Sequence, residues 1–383
     1  MNARFAVPLL STLGIVLAAQ SAPAPAEPSF KWHAGLWASA AASDRETTDG
    51  SLFLRTVDAG EGQLALDGLQ LGAEANLTAG WSLKFTGLAG RDAKVLNMAD
   101  GESGSFSYPE AMLVWTGGKD TLKLGRMWTG MGMEVMDQTQ DIMATRGLLF
   151  TYAIPFNQVG IDWHHAFTPS WSTDAYLFNG EDRVQDNNRS KTAGLALTYN
   201  HGGASDKYLS LMVYRGAEQD GFGATANQGA EGRHRERVSA VGQWVWGAST
   251  LQWEIEYGRE PFPAAVIQGA TGGADVKASW SAAGAIYKHQ FDDRWAILAR
   301  ADYLKDDTGE RLSYDTTVAA AYGTMLNADL AATSVGLGLE RKWGATFTRF
   351  EMRRDQLNKD VLEQGMKGFR DATSATWSFG TSF

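Results

Sequence analysis

Arg349, Glu351 and Arg353 stand two residues apart, and so do Arg300 and Asp302. Successive side chains of an extended chain point to opposite faces, so each set projects from one side as a ladder of fixed charge. Such ladders make and break no bonds; their chemistry is electrostatic, sorting ions by sign where charges of both signs line a narrow aqueous space. Lys84, Lys123 and Lys277 are further cations expected on such faces, and Glu74, Asp162, Asp174, Glu254, Glu256 and Glu340 are further acids. The balance leans acidic, which favours cations weakly. Cysteine is absent, which removes disulfide scaffolds, thiolate metal sites and thiol catalysis together. The formal charge of −10, with no long Lys/Arg run, argues against nucleic acid as a partner.

The elements that must hold these charges are strands. Glycine supplies 43 of 383 residues and proline only 9, while aromatics make up 11%. That combination calls for extended segments and tight turns rather than disorder. Met1 to Ala26 reads as a cleaved secretory leader: Arg4, an apolar run from Phe5 to Ala19, then Ala24-Pro25-Ala26. Beyond it no uncharged stretch is long enough for a membrane helix.

Period-two alternation runs through the remainder. Thr373, Ala375, Trp377, Phe379, Thr381 and Phe383 share one face, against Ser374, Thr376, Ser378, Gly380 and Ser382. Leu251, Trp253, Ile255 and Tyr257 oppose Gln252, Glu254 and Glu256, and Val159, Ile161 and Trp163 oppose Gln158, Asp162 and His164. By the same rule Val276, Ala278, Trp280, Ala282 and Ile286 form an apolar face opposite Lys277, Ser279 and Ser281. Apolar toward lipid and polar toward a lumen is the pattern of a transmembrane strand.

Connections alternate between short and long along the chain. Ala79-Gly80, Gly247-Ala248 and Trp343-Gly344 are among the short ones; 43–62, 91–107, 128–156 and 355–370 are among the long. The expectation is an all-β chain: a transmembrane antiparallel β-barrel over 27–383 of about 16 strands, with 14 or 18 as alternatives. Short turns would be periplasmic and long loops extracellular. Trp81, Trp171, Trp246, Trp295 and Trp343 sit beside short turns, at the level where amphipathic rings rest in a membrane interface. Phe383 ends an alternating strand, which resembles the C-terminal aromatic signature of bacterial outer-membrane proteins.

Leu122-Lys123-Leu124-Gly125-Arg126-Met127, followed by Gly130 to Glu134, resembles the "lrlGrf…G.E" passage of the beta-barrel porin-2 family. Phe178-Asn179-Gly180-Glu181-Asp182, then Asp186-Asn187-Asn188 and Lys191-Thr192, is similar to that family's "NGwD…DNN…KT" stretch, with Glu181 where an aromatic is expected. The resemblance implies an outer-membrane pore of a Gram-negative bacterium, passing ions or small hydrophilic solutes. It supplies no catalytic residue and no cofactor. Outer-membrane lipid and lipopolysaccharide would be its surroundings, and porins of this size commonly form a homotrimer.

A barrel of this size leaves a channel that some inserted segment must narrow. Loop 128–156 is the candidate, resembling in position the third loop of general porins, which folds into the lumen. It carries Met131, Met133, Val135, Met136, Leu148, Leu149 and Phe150, which avoid water, and the acids Glu134, Asp137 and Asp141. One reading puts these acids at a pore constriction facing the basic wall residues Lys84, Arg300, Arg349 and Arg353, with Asp302 and Glu351 beside them. The other is an external loop whose acids are solvated.

Rival chemistries have weaker support. A barrel enzyme with a site at the rim needs histidine near serine or paired acids, and of His33, His164, His165, His201, His234 and His289 only His234 falls in an expected external loop. A secreted soluble β protein acting on glycans is the third reading. Arg233-His234-Arg235-Glu236-Arg237 offers cations for lipopolysaccharide phosphate or a plain loop edge. Asp186-Asn187-Asn188 and Asp306-Asp307-Thr308-Gly309-Glu310 carry oxygens suited to calcium without the full spacing of a calcium loop. Gly269 to Gly273 lacks the setting of a phosphate cradle.

Overall fold

The computed structural model describes residues 29–383 apart from 46, 48, 49, 59, 222–228, 264–274, 323–328 and 363–367. The expected leader and the Gly269 to Gly273 passage lie outside the described residues. The strands are β1 (Ser29–Ser43), β2 (Leu64–Thr78), β3 (Trp81–Ala89), β4 (Phe106–Gly117), β5 (Asp120–Trp128), β6 (Asn157–Ala166), β7 (Trp171–Phe178) and β8 (Thr192–Asn200). They continue with β9 (Lys207–Ala217), β10 (His234–Trp246), β11 (Ser249–Phe262), β12 (Val276–Gln290), β13 (Trp295–Asp306), β14 (Leu330–Trp343), β15 (Thr346–Leu362) and β16 (Gly368–Ser382). Each pairs antiparallel with the next, and β1 pairs with β16, closing a sixteen-strand barrel. Phe383 completes the seam: its N–H donates to the Ala34 carbonyl at 2.9 Å and its carbonyl accepts from the Ala34 N–H at 2.7 Å. Closure leaves no unpaired edge, as a low-dielectric surrounding demands.

Turns sort by length between the two rims. One rim has 79–80, 118–119, 247–248 and 344–345 among its links; the other has 44–63, 90–105, 129–156 and 307–329. Gly247 adopts φ 54° in its two-residue link, the left-handed conformation that such hairpins require. Among the described residues the long-loop side also holds the α-helices α1 (Arg91–Ala99) and α2 (Thr316–Tyr322), which alternation does not foretell.

The outer surface is apolar: Leu71, Phe85, Ile161, Leu195, Ile255 and Leu337 point outward and are exposed. Trp171, Trp246 and Trp343 lie exposed at the short-turn rim, and Trp171 packs on Tyr199 with ring centroids 4.8 Å apart. These are the apolar band and aromatic girdle of a membrane barrel.

The core lies inside the ring. Trp37, Leu88, Met112, Phe178, Met212 and Tyr214 on the wall surround Leu96 of α1 and Met131, Met136, Phe150 and Ile154 of the third long loop. Across the lumen Trp280, Leu304, Leu330 and Leu357 pack against Leu148, Leu149 and Tyr152 of the same loop.

Two expectations need correction. Ala278, Trp280, Ala282 and Ile286 face inward, and Lys277, Ser279 and Ser281 outward; Ile286 is opposite the inward Arg300, and Trp280 is 1% exposed. The rule that apolar means lipid fails because this part of the lumen holds loop atoms: a Cβ on inward Gly284 would lie 3.0 Å from both Leu149 and Met133. Secondly, β15 runs to Leu362 rather than 354. Its outward apolar stripe ends at Met352, yet the ladder continues, with Arg354 pairing Asp371 on β16 and inward Arg353 pairing Asp355 at 2.8 Å.

Candidate functional site

Residues 129–156 lie inside the ring, stitched to inward side chains of β10, β11, β13 and β15. Arg300 on β13 donates to the Glu134 carboxylate and, at 2.8 Å, to the Thr145 carbonyl. Glu351 on β15 accepts the Thr145 N–H at 3.0 Å, and Asp302 accepts the Leu148 N–H at 3.2 Å. Arg349 reaches the carbonyls of Gln138 and Met143 at 3.0 and 3.3 Å, and Arg353 reaches Thr145 Oγ1 at 3.2 Å. From β11 Glu254 accepts the Met133 N–H at 3.0 Å, and from β10 Arg237 donates to the Ala153 carbonyl. The spacing-two ladders thus hold up a segment that, outside the helical turn Leu149–Ala153, forms no regular element, which meets the demand that buried N–H and C=O groups be paired.

The three loop acids have different roles. Glu134 is buried and also accepts the Gly147 N–H at 2.7 Å. Burial pushes its carboxyl upward even with Arg300 against it. Asp141 accepts the Val135 N–H at 2.9 Å and faces Arg146 at 3.6 Å; burial, outweighing Arg146, raises it to about 6. Asp137 accepts from Thr139 N and Oγ1 at 3.0 and 2.6 Å and from Gln140 Nε2 at 2.9 Å, a local turn, and from Gln70 Nε2 on β2 at 3.4 Å.

Arg146 extends the network. It donates to Asp92 of α1 at 2.9 Å, and Asp92 also accepts from Trp37 Nε1 on β1 at 2.8 Å. All three are buried, so α1, the loop and the wall share one polar knot. Asp92 and Trp37 were outside the sequence reading; the spacing of Ala93 and Leu96, which share the buried face of α1, was the available signal.

A cavity of about 410 Å³ remains beside this filling, along β2 to β7. Glu74, Lys84, Glu110, Lys123, Gln158, Asp162, Asp174 and Tyr176 line it, with Met112, Val114, Met127 and Trp128. Of the residues marked in the sequence, Glu74, Lys84, Lys123, Asp162 and Asp174 border it; Glu134, Asp137, Asp141, Arg300, Asp302, Arg349, Glu351 and Arg353 do not. Lys84 pairs with Glu110 and Lys123 with Asp162, each at 2.7 Å.

The motif stretches serve to shape this interior. Gly125 on β5 has φ 136°, and a Cβ there would fall 2.2 Å from the Ala111 carbonyl oxygen, so no other residue fits. Arg126 pairs with Asp100 just past α1. Asp182 accepts the N–H groups of Phe156 and Asn157 at 2.7 and 3.0 Å, fixing where the loop re-enters β6. Glu181 bridges Arg235, at 2.7 Å, and Arg237, at 2.5 Å. Burial alone would raise it, but these two guanidiniums together hold it down to about 2. Glu218, whose Oε2 accepts the Glu181 N–H at 2.8 Å, is pushed up to about 8 by burial and by the Glu181 charge.

The dense basic run therefore turns largely inward: Arg235 and Arg237 are spent on acids, and Arg233 pairs with Asp275 at 3.0 Å. Asp306 spends its carboxylate on the N–H groups of Gly309, Arg311 and Leu312 at 2.8 to 2.9 Å. Among the described residues no group of three or more His, Asp or Glu is placed to hold a metal.

A closed ring of sixteen antiparallel strands, apolar outside and charged within, is a porin-like outer-membrane β-barrel. Residues 38–383 match the family described as "Putative beta-barrel porin-2, OmpL-like", and the chain belongs to that family. No curated protein matches it in sequence. Solved structures share its fold. The anion-selective porin from Comamonas acidovorans has 12% identity and a TM-score of 0.59, over 93% of this chain and 100% of that one. The outer membrane channel DcaP of Acinetobacter baumannii has 10% identity and a TM-score of 0.59, over 93% and 97%. OmpT of Vibrio cholerae in its trimer form has 11% identity and a TM-score of 0.58, over 93% and 99%.

Proposed function

We propose that this protein is a passive diffusion channel of the bacterial outer membrane for ions and small hydrophilic solutes. The observation that carries the reading is a charged, solute-sized cavity enclosed by a ring whose outer face suits lipid. Solutes would move past fixed charges on the β2 to β7 wall, where Glu74, Glu110, Asp162 and Asp174 outnumber Lys84 and Lys123. That excess favours cations. Residues 129–156 would set the width, with Glu134 and Asp141 as anchors of the segment rather than as its aqueous edge. Export by residues 1–26, lipopolysaccharide around the outer rim and assembly as a homotrimer complete the reading, which involves no cofactor and no covalent chemistry.

The test is conductance of the detergent-extracted protein in a planar bilayer under a salt gradient. Discrete ohmic steps with a cation-selective reversal potential are expected, and removal of residues 138–145 should enlarge the steps. A folded, heat-modifiable protein that gives no steps with or without that segment would overturn the reading.

A further inference from the structure

The rim of short links carries a cleft of about 220 Å³ lined by Arg294, Arg341, Lys342 and Trp343. We propose that it binds the phosphate of a phospholipid with a net negative headgroup, taken from the membrane leaflet on that side. In outer-membrane barrels this rim faces the periplasm. The inference goes beyond the channel reading and does not depend on whether the barrel conducts.

Uncompensated charge is the first observation. The lining holds three cations and no carboxylate. Among the described residues the exposed Arg294 and Arg341 side chains form no ion pair and no hydrogen bond. Lys342 lies 3.7 Å from Glu340, yet that buried carboxylate already holds Arg349 at 2.8 Å and Lys288. The acids of the adjoining turn do not fill the gap. Asp292 spends Oδ1 on the N–H groups of Arg294 and Trp295 at 2.7 and 2.8 Å, and neither it nor Asp293 is on the lining. A guanidinium presents five donors in a planar fork that matches phosphate oxygens.

Position places these cations against the membrane. Arg341 and Trp343 share the outward face of β14, and Arg341 stands directly opposite Trp295 of β13. The Arg341 guanidinium carbon lies 5.2 Å from the Trp295 ring centroid and 5.9 Å from that of Trp343. Two indoles of the girdle thus hold it at headgroup level.

What lies beyond decides between a lipid and a free anion. From Arg341 the outward stripe continues through Leu339 and Leu337, with Ile297 opposite Leu339 on one side and Phe350 on the other. All four are exposed. A ligand with its phosphate among the cations can lay an acyl chain along this stripe, which inorganic phosphate cannot use. The cleft is smaller than the roughly 300 Å³ at which sites for whole small molecules begin, which fits a headgroup whose tails stay in the bilayer. A zwitterionic headgroup would bring its own ammonium against three cations; an anionic one brings none.

Native mass spectrometry of the full-length, detergent-solubilised barrel reads the affinity of each added lipid. Dioleoylphosphatidylglycerol should bind about tenfold more tightly than dioleoylphosphatidylcholine. Glycerol 1-phosphate at equal concentration should not displace it. Arg294→Gln combined with Arg341→Gln should abolish most of that preference, with the heat-modifiable gel shift kept, because neither arginine leaves a carboxylate stranded. Arg294→Gln alone lies in a link outside the strands, so it stays informative if the double variant fails to fold. Arg259→Gln, which removes an exposed arginine near the opposite rim, should leave the preference intact. Equal binding of the two lipids, an unaltered preference in the folded variants, or the same loss from Arg259→Gln would each overturn the site. Displacement by glycerol 1-phosphate would make it a site for free phosphate and overturn the lipid assignment.

Discussion

Glu134 and Arg300, 166 residues apart in the chain, meet inside the barrel with both side chains sealed from water. The same guanidinium faces Asp302 at 3.6 Å and Glu351 at 3.8 Å, so one arginine gathers the loop and two wall strands. Glu134→Ala leaves the buried Gly147 N–H without its acceptor and removes one charged partner from Arg300. The expected cost to the seating of the loop is about 1–3 kcal/mol. Because the strands are untouched, the variant should fold and show larger or noisier single-channel steps. Steps identical to those of the parent protein would show that this contact does not hold the loop.

The Glu181 and Glu218 pair predicts a pH dependence. Glu218 is held up near 8, so between the ordinary glutamate range and about 8 the folded chain keeps a proton that the unfolded chain has released. Its stabilising contribution is complete below about 4.5 and is lost as pH rises toward 8. The midpoint of urea unfolding, followed by the gel shift, should fall between pH 5 and 8.5. Glu218→Gln, neutral throughout, should reduce that slope, and an unchanged slope would assign the proton elsewhere.

The orientation of β12 can be checked by labelling, since the chain has no cysteine to give background. In lipid vesicles, Ser281→Cys should react with a maleimide that partitions into the bilayer, and Ala282→Cys should be protected. Reversed reactivity would restore the apolar-to-lipid assignment of this strand.

Gly125 offers a test of close packing. Gly125→Val must push its side chain into the Ala111 carbonyl and Met112 of β4, costing about 1–3 kcal/mol or more. Folding yield should drop with expression unaltered. A variant that folds as well as the parent would mean that β4 and β5 can separate without loss.

The amino-acid sequence by itself determined the ring. Strict alternation and the Gly, Asn, Asp and Pro of the short links define sixteen strands with ends close to those found, because period two and turn chemistry are local properties of a few neighbouring residues. It also placed Arg300, Asp302, Arg349, Glu351 and Arg353 on the inner face, since the opposite face of each strand is apolar. What faces that inner wall was decided only in three dimensions. Whether Trp280 meets lipid or protein, whether Arg235 and Arg237 meet phosphate or Glu181, and which wall borders open space all depend on segments from elsewhere in the chain filling the lumen. A face is fixed by backbone geometry; the medium it meets is fixed by what else the chain folds against it.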